Sequence, residues 1–114
     1  MNELEHRILV HLKNYHRSNF NAITYRALSL ELGINSRELR YAVANIVTKG
    51  EGCIGTSSSD GYFYITDDDD FDYCYNELIA RIKALAKRAR GLRRARMSDK
   101  LVTIEQQKLF AEVA

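Results

Sequence analysis

The residues best suited to bind a metal ion are three histidines, His6, His11 and His16. Imidazole nitrogens are common protein ligands of zinc and related metals. Two ligands share one face of a helix when they lie three or four residues apart. Because these histidines are five residues apart and His16 falls in a predicted loop, the sequence predicts no metal site.

A run of four aspartates at residues 67–70 resembles a cation site. A calcium loop of the EF-hand type also requires a glycine and a terminal glutamate at fixed positions, which this run lacks. Thr66 precedes the run as a candidate N-cap, and negative charge in the first turn of a helix is stabilised by the helix dipole. We therefore interpret the run as the start of a helix.

The sequence also lacks the signatures of the common enzyme classes. Neither Cys53 nor Cys74 has a basic residue close in sequence, and both are expected to be small apolar core residues. The motifs of P-loop, α/β-hydrolase, zinc-protease and dinucleotide-binding enzymes do not occur. We expect no catalytic residues, no cofactor and no enzymatic activity.

Charge is distributed unevenly along the chain. Its 17 Lys and Arg residues nearly balance its 15 Asp and Glu residues, which gives a net charge of +2. Residues 67–77 carry six acidic side chains and no basic ones, whereas residues 81–96 carry eight basic side chains and no acidic ones. A basic segment of this density fits contact with phosphates, and a solvated helix face is the alternative.

The length of 114 residues is enough for the core of one small domain and one appendage. No run of about 18 apolar residues occurs, so we expect no membrane span. The charged N-terminus is not typical of a signal peptide, and two cysteines without a CxxC motif fit a reducing compartment. These features predict a cytoplasmic protein.

Capping signals divide the first half of the chain into three helices. Their predicted N-cap residues are Asn2, Thr24 and Asn35, and a glutamate three residues after Asn2 and Asn35 completes a capping box. Gly33 ends the second helix, because glycine adopts the left-handed conformation found there. Apolar residues at helical spacing form the predicted core, which includes Leu28, Leu30, Leu39 and Val47.

After the third helix the sequence pattern favours β-structure. Residues 53–56 and 62–65 are β-prone, and the tip between them, residues 57–61, contains an Asp-Gly turn signal. These runs predict a β-hairpin, and residues 22–23 predict a further short strand.

The order helix, short strand, helix, tight turn, helix, β-hairpin resembles the winged helix-turn-helix family. The likeness is carried by residues 27–40, which read A-L-x-x-E-L-G-I-x-x-R-x-L-R, and it covers residues 3–65. The chain is also similar to small winged-helix proteins of phage and mobile elements, in which a hairpin leads into a long basic helix. The fold implied is mainly α with a small β-hairpin, an α+β class.

The resemblance implies that the third helix reads DNA and that the hairpin is the wing. A helix of this kind fits the major groove, where Arg pairs with guanine and Asn with adenine. The predicted DNA contacts on the third helix are Ser36, Arg37, Arg40, Tyr41, Asn45 and Thr48. The wing tip carries no basic residue, and Asp60 repels phosphate, so we do not expect the tip to enter the minor groove.

A long fourth helix is predicted from residue 67 to about residue 96. From Phe71 to Leu92 its apolar residues recur at alternating steps of four and three, which is the heptad repeat of coiled coils. We predict a homodimer interface at Leu78, Ile82, Leu85, Ala89 and Leu92. The alternative is a phosphate-contacting arm, with Lys87, Arg90 and Arg94 as further DNA contacts.

Three segments follow from these patterns. Residues 1–66 form the winged helix-turn-helix domain, residues 67–97 form the acidic-to-basic helix, and residues 98–114 form a C-terminal tail. Ser98 and Asp99 are expected to end the long helix, and a candidate short helix follows at residues 104–112.

These patterns predict a protein that binds double-stranded DNA, as a transcriptional regulator or a replication accessory. The alternative is a protein-interaction module on the same scaffold, of the phage type, which inhibits or adapts a polymerase, a replication protein or a host-defence protein. The arginines of the third helix favour DNA. The unsuited wing tip and the near-neutral total charge favour the alternative.

Overall fold

The computed structural model describes residues 1–57 and 61–113, with the backbone alone at residues 110, 112 and 113. Within these residues the helices are α1 (Glu3–Tyr15), α2 (Tyr25–Leu32), α3 (Ser36–Thr48) and α4 (Asp68–Val113), with a 3₁₀ turn at Asn19–Asn21. The strands are β1 (Ile23–Thr24), β2 (Ile54–Thr56) and β3 (Gly61–Tyr64). The chain forms two compact units, residues 1–75 and residues from 76 onward. A mainly helical chain with a small antiparallel sheet is confirmed.

The three predicted helix starts of the first unit are confirmed by their hydrogen bonds. In each case a side-chain oxygen of the N-cap residue accepts from the backbone N–H three residues later, at distances between 2.7 and 3.2 Å. Gly33 follows α2 with φ of +69°, which is the left-handed conformation predicted for it. Local polar signals therefore set the bounds of α1, α2 and α3.

The predicted hairpin is present, and it is part of a three-stranded sheet. β2 pairs with β3 antiparallel and places Gly55 opposite Phe63. β1 pairs with the other edge of β3 and places Ile23 opposite Tyr62, so β3 is the central strand in the order β1-β3-β2. The predicted turn at the tip falls on residues 58–60, which lie outside the described residues.

The first unit encloses one hydrophobic core between its helices and its sheet. The side chains of Ile8, Leu12, Leu28, Leu39 and Ile46 are fully buried there. They come from all three helices, and this burial holds α3 at a fixed place on the unit.

Two residues predicted to be in the core lie at the surface. Leu30 is 84% exposed and Val47 is 40% exposed. Successive helix residues are rotated by about 100°, so only one stripe of the apolar residues of a helix can face the core. The others face solvent. On α2 the stripe takes Leu28 and Ser29, and on α3 it takes Ala42 in place of Val47.

α4 runs without interruption from Asp68 to Val113, so the predicted break at Ser98 and Asp99 is wrong. The hydroxyl of Thr103 donates to the carbonyl of Asp99 at 2.9 Å, a bond that a helix accommodates. No glycine or proline follows Gly91, so nothing strong enough to stop the helix occurs before the end of the chain.

The N-terminal cap of α4 also differs from the prediction. The backbone N–H of Asp70 donates to Oδ1 of Asp67 at 2.8 Å, so Asp67 takes the capping role that was predicted for Thr66. The helix is charged along much of its length. In the described part of the chain, no helix has both the length and the apolarity that a membrane crossing requires.

Candidate nucleic-acid interface

The exposed face of α3 begins at a well-defined helix start. Asn35 caps this helix, since its Oδ1 accepts from the Glu38 N–H at 2.8 Å, and its Nδ2 donates to Glu38 Oε1 at 2.7 Å, which is a side-chain contact in place of the backbone contact of the predicted capping box. Glu38 is engaged by Asn35 at the helix start. The other exposed residues of α3 therefore form its polar surface.

A shallow groove lies between the start of α2 and the exposed face of α3. Its lining residues are Tyr25, Arg26, Ser36, Arg37, Arg40, Tyr41 and Ala44. Three of them are arginines, and none of the described lining residues is acidic. Such a groove is electropositive, which is the electrostatic requirement for contact with a phosphate backbone.

Tyr25 orients two of these arginines. The guanidinium of Arg40 lies over the Tyr25 ring, 4.3 Å from its centroid, and that of Arg26 lies 5.7 Å from the same centroid. Nε of Arg26 also donates to the Tyr25 hydroxyl at 3.3 Å. Stacking on an aromatic face reduces the freedom of a long side chain, so both guanidinium groups are partly preorganised for a ligand.

The structure brings together four of the six predicted contacts on α3, namely Ser36, Arg37, Arg40 and Tyr41. Arg37, Arg40 and Tyr41 are exposed, and Tyr41 is 73% exposed despite its large apolar ring. A polar ligand can therefore reach all three side chains.

The other two predicted residues do not line this groove. Asn45 lies in a second depression between α1 and α3, whose charged lining residues are Glu5, Glu38 and Arg37, two acidic groups against one basic group. These carboxylates make that side less favourable for phosphate. Thr48 is the last residue of α3 and is exposed.

Tyr25 and Arg26 were missed by the sequence predictions. Both stand in the first turn of α2, directly after the N-cap Thr24. Helix N-termini attract anions, so an arginine at that position was the available signal. What the sequence did not contain was the proximity of this turn to α3, which depends on the packing of the two helices.

The second unit carries the remaining predicted DNA contacts, Lys87, Arg90 and Arg94. All three side chains are exposed. Among the neighbouring basic residues, Arg81 forms an ion pair with Glu77 at 3.0 Å, four residues earlier on the helix. An exposed pair of this kind is weak, so the segment keeps its basic character.

The five residues of the predicted dimer interface are also at the surface of the single chain. Leu78, Ile82, Leu85 and Leu92 are between 51% and 75% exposed, and Ala89 is exposed as well. Contact of such an apolar stripe with water is unfavourable.

Comparison of the chain with models of protein families, with curated proteins and with solved structures yields no match. The geometry described above is therefore the basis for assigning a function.

Proposed function

We propose that the chain is a winged-helix protein that binds double-stranded DNA and places α3 in the major groove. The observation that carries this proposal is the groove between α2 and α3, where Arg26, Arg37 and Arg40 converge without an acidic neighbour among the described lining residues. Arginine is the side chain that most often reads guanine in the major groove, through a bidentate contact.

The arrangement of elements supports this proposal. α2 is short and ends at Gly33, and Ile34 then donates its N–H to the carbonyl of Ser29 at 3.1 Å. α3 follows this turn after three residues. In such a helix-turn-helix the second helix reads base edges, and the β2–β3 hairpin takes the place of a wing.

The second unit extends the proposal. Its apolar stripe at Leu78–Leu92 serves homodimerisation, which would give two copies of α3 for two half-sites. Lys87, Arg90 and Arg94 add phosphate contacts. The protein would then be a cytoplasmic, non-enzymatic regulator of transcription or a replication accessory, similar to phage-type winged-helix proteins.

A protein-interaction module is the second candidate function. Two apolar side chains of the first unit, Phe20 and Leu30, are 99% and 84% exposed. Exposed apolar side chains of this size fit contact with a protein better than contact with a phosphate backbone. The partner would be a polymerase, a replication protein or a host-defence protein.

The deciding experiment is fluorescence anisotropy of the full chain with a labelled random duplex and a labelled single strand at two salt concentrations. We expect saturable duplex binding that weakens steeply as salt rises, because neutralising phosphates releases counterions. Replacing Arg37 and Arg40 together with alanine is expected to weaken binding to the random duplex and to lower its salt dependence by about two released counterions, since two cationic contacts are lost.

A matched control removes the same charge elsewhere on the first unit. Arg7 and Arg17 are exposed and do not line the groove, so their double alanine variant should weaken binding far less. Equal losses in the two double variants would mean that net charge, rather than the groove, governs binding. Absence of duplex binding at low salt would overturn the DNA proposal in favour of the protein-interaction module.

A further inference from the structure

Two histidines and a glutamate from distant parts of the sequence meet in the first unit. His11 lies in α1, His16 is the residue that follows α1, and Glu31 lies near the end of α2. One potential ligand atom from each of the three lies within 4.8 Å of the others. The rings of His11 and His16 are 5.2 Å apart between centroids.

The sequence predicted no metal site because the three histidines lie five residues apart and His16 falls in a loop. The loop position is correct, since α1 ends at Tyr15, but it does not separate His16 from His11. The chain has left the helical path at His16, and its ring comes back beside that of His11. Glu31 could not be associated with them from spacing, since it lies 15 residues after His16.

The His16 ring is held in an orientation that suits a metal ligand. Its Nδ1 lies 2.9 Å from the backbone carbonyl oxygen of Asn21. A carbonyl oxygen only accepts, so Nδ1 donates its proton and Nε2 keeps its lone pair. Histidines that bind metals usually make this kind of hydrogen bond with the second ring nitrogen, because it fixes the ring and the tautomer.

His11 presents a buried ring nitrogen that lies against a carboxylate without a well-aligned hydrogen bond. Its Nε2 lies 2.6 Å from Oε2 of Glu31, which is close enough for an ion pair. The same nitrogen is shielded from solvent and has no hydrogen-bond partner of acceptable alignment. A polar atom in this state costs free energy, and a cation that both groups bind after moving apart would satisfy both of them.

The spacing of the three groups is compatible with one ion. Ligand bonds of 2.0–2.2 Å in a tetrahedral zinc site place neighbouring donor atoms about 3.4 Å apart. The 2.6 Å between His11 Nε2 and Glu31 Oε2 is about 0.8 Å too short for two zinc ligands, and the 4.8 Å limit on the cluster is about 1.4 Å too long, so side chains must move by about 1 Å to admit an ion. Glu31 has the freedom for this, because its side chain is 51% exposed.

We propose that His11, His16 and Glu31 bind a zinc ion, with solvent in the remaining coordination position. Two imidazoles and one carboxylate are a donor set that zinc accepts. The ion would connect the end of α1 to α2, the helix that precedes α3. The zinc site does not depend on the proposed function. The bound ion would stabilise the first unit whatever that unit binds.

The test is isothermal titration calorimetry of the tag-free full chain, stripped with a chelator, against zinc sulfate. We expect saturable binding of one zinc ion per chain. The variants H11Q, H16Q and E31Q are each expected to weaken zinc binding about tenfold or more, because each removes one ligand. The control is H6Q, which removes an exposed histidine of the same helix and should leave the affinity unchanged.

A second readout separates loss of a ligand from loss of the fold. Zinc should raise the melting temperature of the wild-type chain and of H6Q, since a ligand that binds only the folded state stabilises it. It should raise the melting temperature of E31Q much less, and the exposed position of Glu31 leaves the zinc-free fold intact. Cobalt, used in place of zinc, should give the visible absorption of a tetrahedral site in the wild type and not in E31Q.

Three results would overturn the proposal. The first is the absence of saturable zinc binding by the stripped chain. The second is binding that H11Q, H16Q and E31Q do not weaken. The third is an equal loss of affinity in H6Q, which would show that zinc binds surface histidines without a defined site.

Discussion

Both units of this chain contain large apolar side chains, but among the described residues only the first unit buries any of them. In the first unit Ile8, Leu12 and Leu39 are completely buried. From residue 76 onward no described side chain is buried, although Leu85 and Leu92 are as apolar as those of the core. The first unit therefore buries the apolar side chains of its core within itself, whereas the apolar stripe of the second unit is exposed in the single chain.

Helix propensity alone gives little stability to an isolated helix in water, because most helical stability in proteins comes from the packing of an apolar face. The second unit is helical through Val113 and contains several alanine, leucine, lysine and arginine residues, which favour helix. Its stripe then remains as the feature that a second copy would bury.

A measurement can follow the two units separately. All seven tyrosines of the chain lie within residues 1–75, and the chain has no tryptophan. Near-ultraviolet circular dichroism of tyrosine therefore reports the first unit, which includes the start of α4 at Tyr73 and Tyr75. Far-ultraviolet circular dichroism reports the helices of both units.

The largest expected effect is a core substitution in the first unit. Leu39→Ala removes a fully buried side chain and leaves a cavity, which should lower the free energy of unfolding by about 2–5 kcal/mol. Leu92→Ala is the matched change in the second unit. It should shift the tyrosine transition by less than about 0.5 kcal/mol, because Leu92 lies in the second unit, outside the core that Leu39 helps to form.

Urea titrations followed by tyrosine signal give both values. A large effect of Leu92→Ala on the tyrosine transition would break the distinction between the units, because it would mean that the second unit contributes to the stability of the core. Similar small effects of both substitutions would show that the core packs more loosely than its burial indicates.

The next largest effect concerns the stripe itself. Replacing Ile82 and Leu85 together with aspartate puts charges where the proposed dimer is apolar, and burying an unpaired charge costs several kcal/mol. We expect the wild type to sediment as a dimer and the double variant as a monomer. Lys83→Asp with Ala84→Asp introduces the same groups next to the stripe and should preserve the dimer.

Sedimentation velocity over a wide range of concentration decides this. A wild-type chain that stays monomeric at high concentration would contradict the homodimer and leave the stripe to another partner. Loss of the dimer in the control variant would point to a general effect of charge on the helix rather than to the stripe.

The same contrast explains which features could be predicted from the sequence. The N-caps at Asn2, Thr24 and Asn35 were predictable because a cap is a bond between residues three apart in the chain. Gly33 was predictable because its conformation is a local property of glycine. The hairpin followed from short alternating runs.

Features that depend on distant residues were not predictable in this way. Tyr25 and Arg26 join the groove of α3 only because α2 packs beside it, and His11 meets Glu31 for the same reason. The break predicted at Ser98 failed because helix propensity over the following residues outweighs two weak helix formers. Local sequence patterns therefore predicted most helices and strands, whereas the candidate sites depend on how those elements pack together.

The smallest expected effects come from one substitution made in both units. Gly33→Ala should destabilise the first unit by about 1 kcal/mol, because φ of +69° is unfavourable for alanine although the surrounding space is open. Gly91→Ala should stabilise the second unit by about 1 kcal/mol, because Gly91 lies inside α4 without positive φ and nothing lies near the added methyl group. Adding the same methyl group is thus expected to lower the stability of the first unit and to raise that of the second.

Thermal melts observed by both circular dichroism signals test this pair. Gly33→Ala should lower the midpoint of the tyrosine transition, and Gly33→Asn should lower it less, because asparagine tolerates the left-handed region better than alanine. Gly91→Ala should increase the far-ultraviolet helical signal at high temperature and leave the tyrosine midpoint in place. A stabilising Gly33→Ala would contradict the C-cap geometry, whereas a destabilising Gly91→Ala would mean that a partner helix approaches the backbone at Gly91 in the assembled protein, where a methyl group has no room.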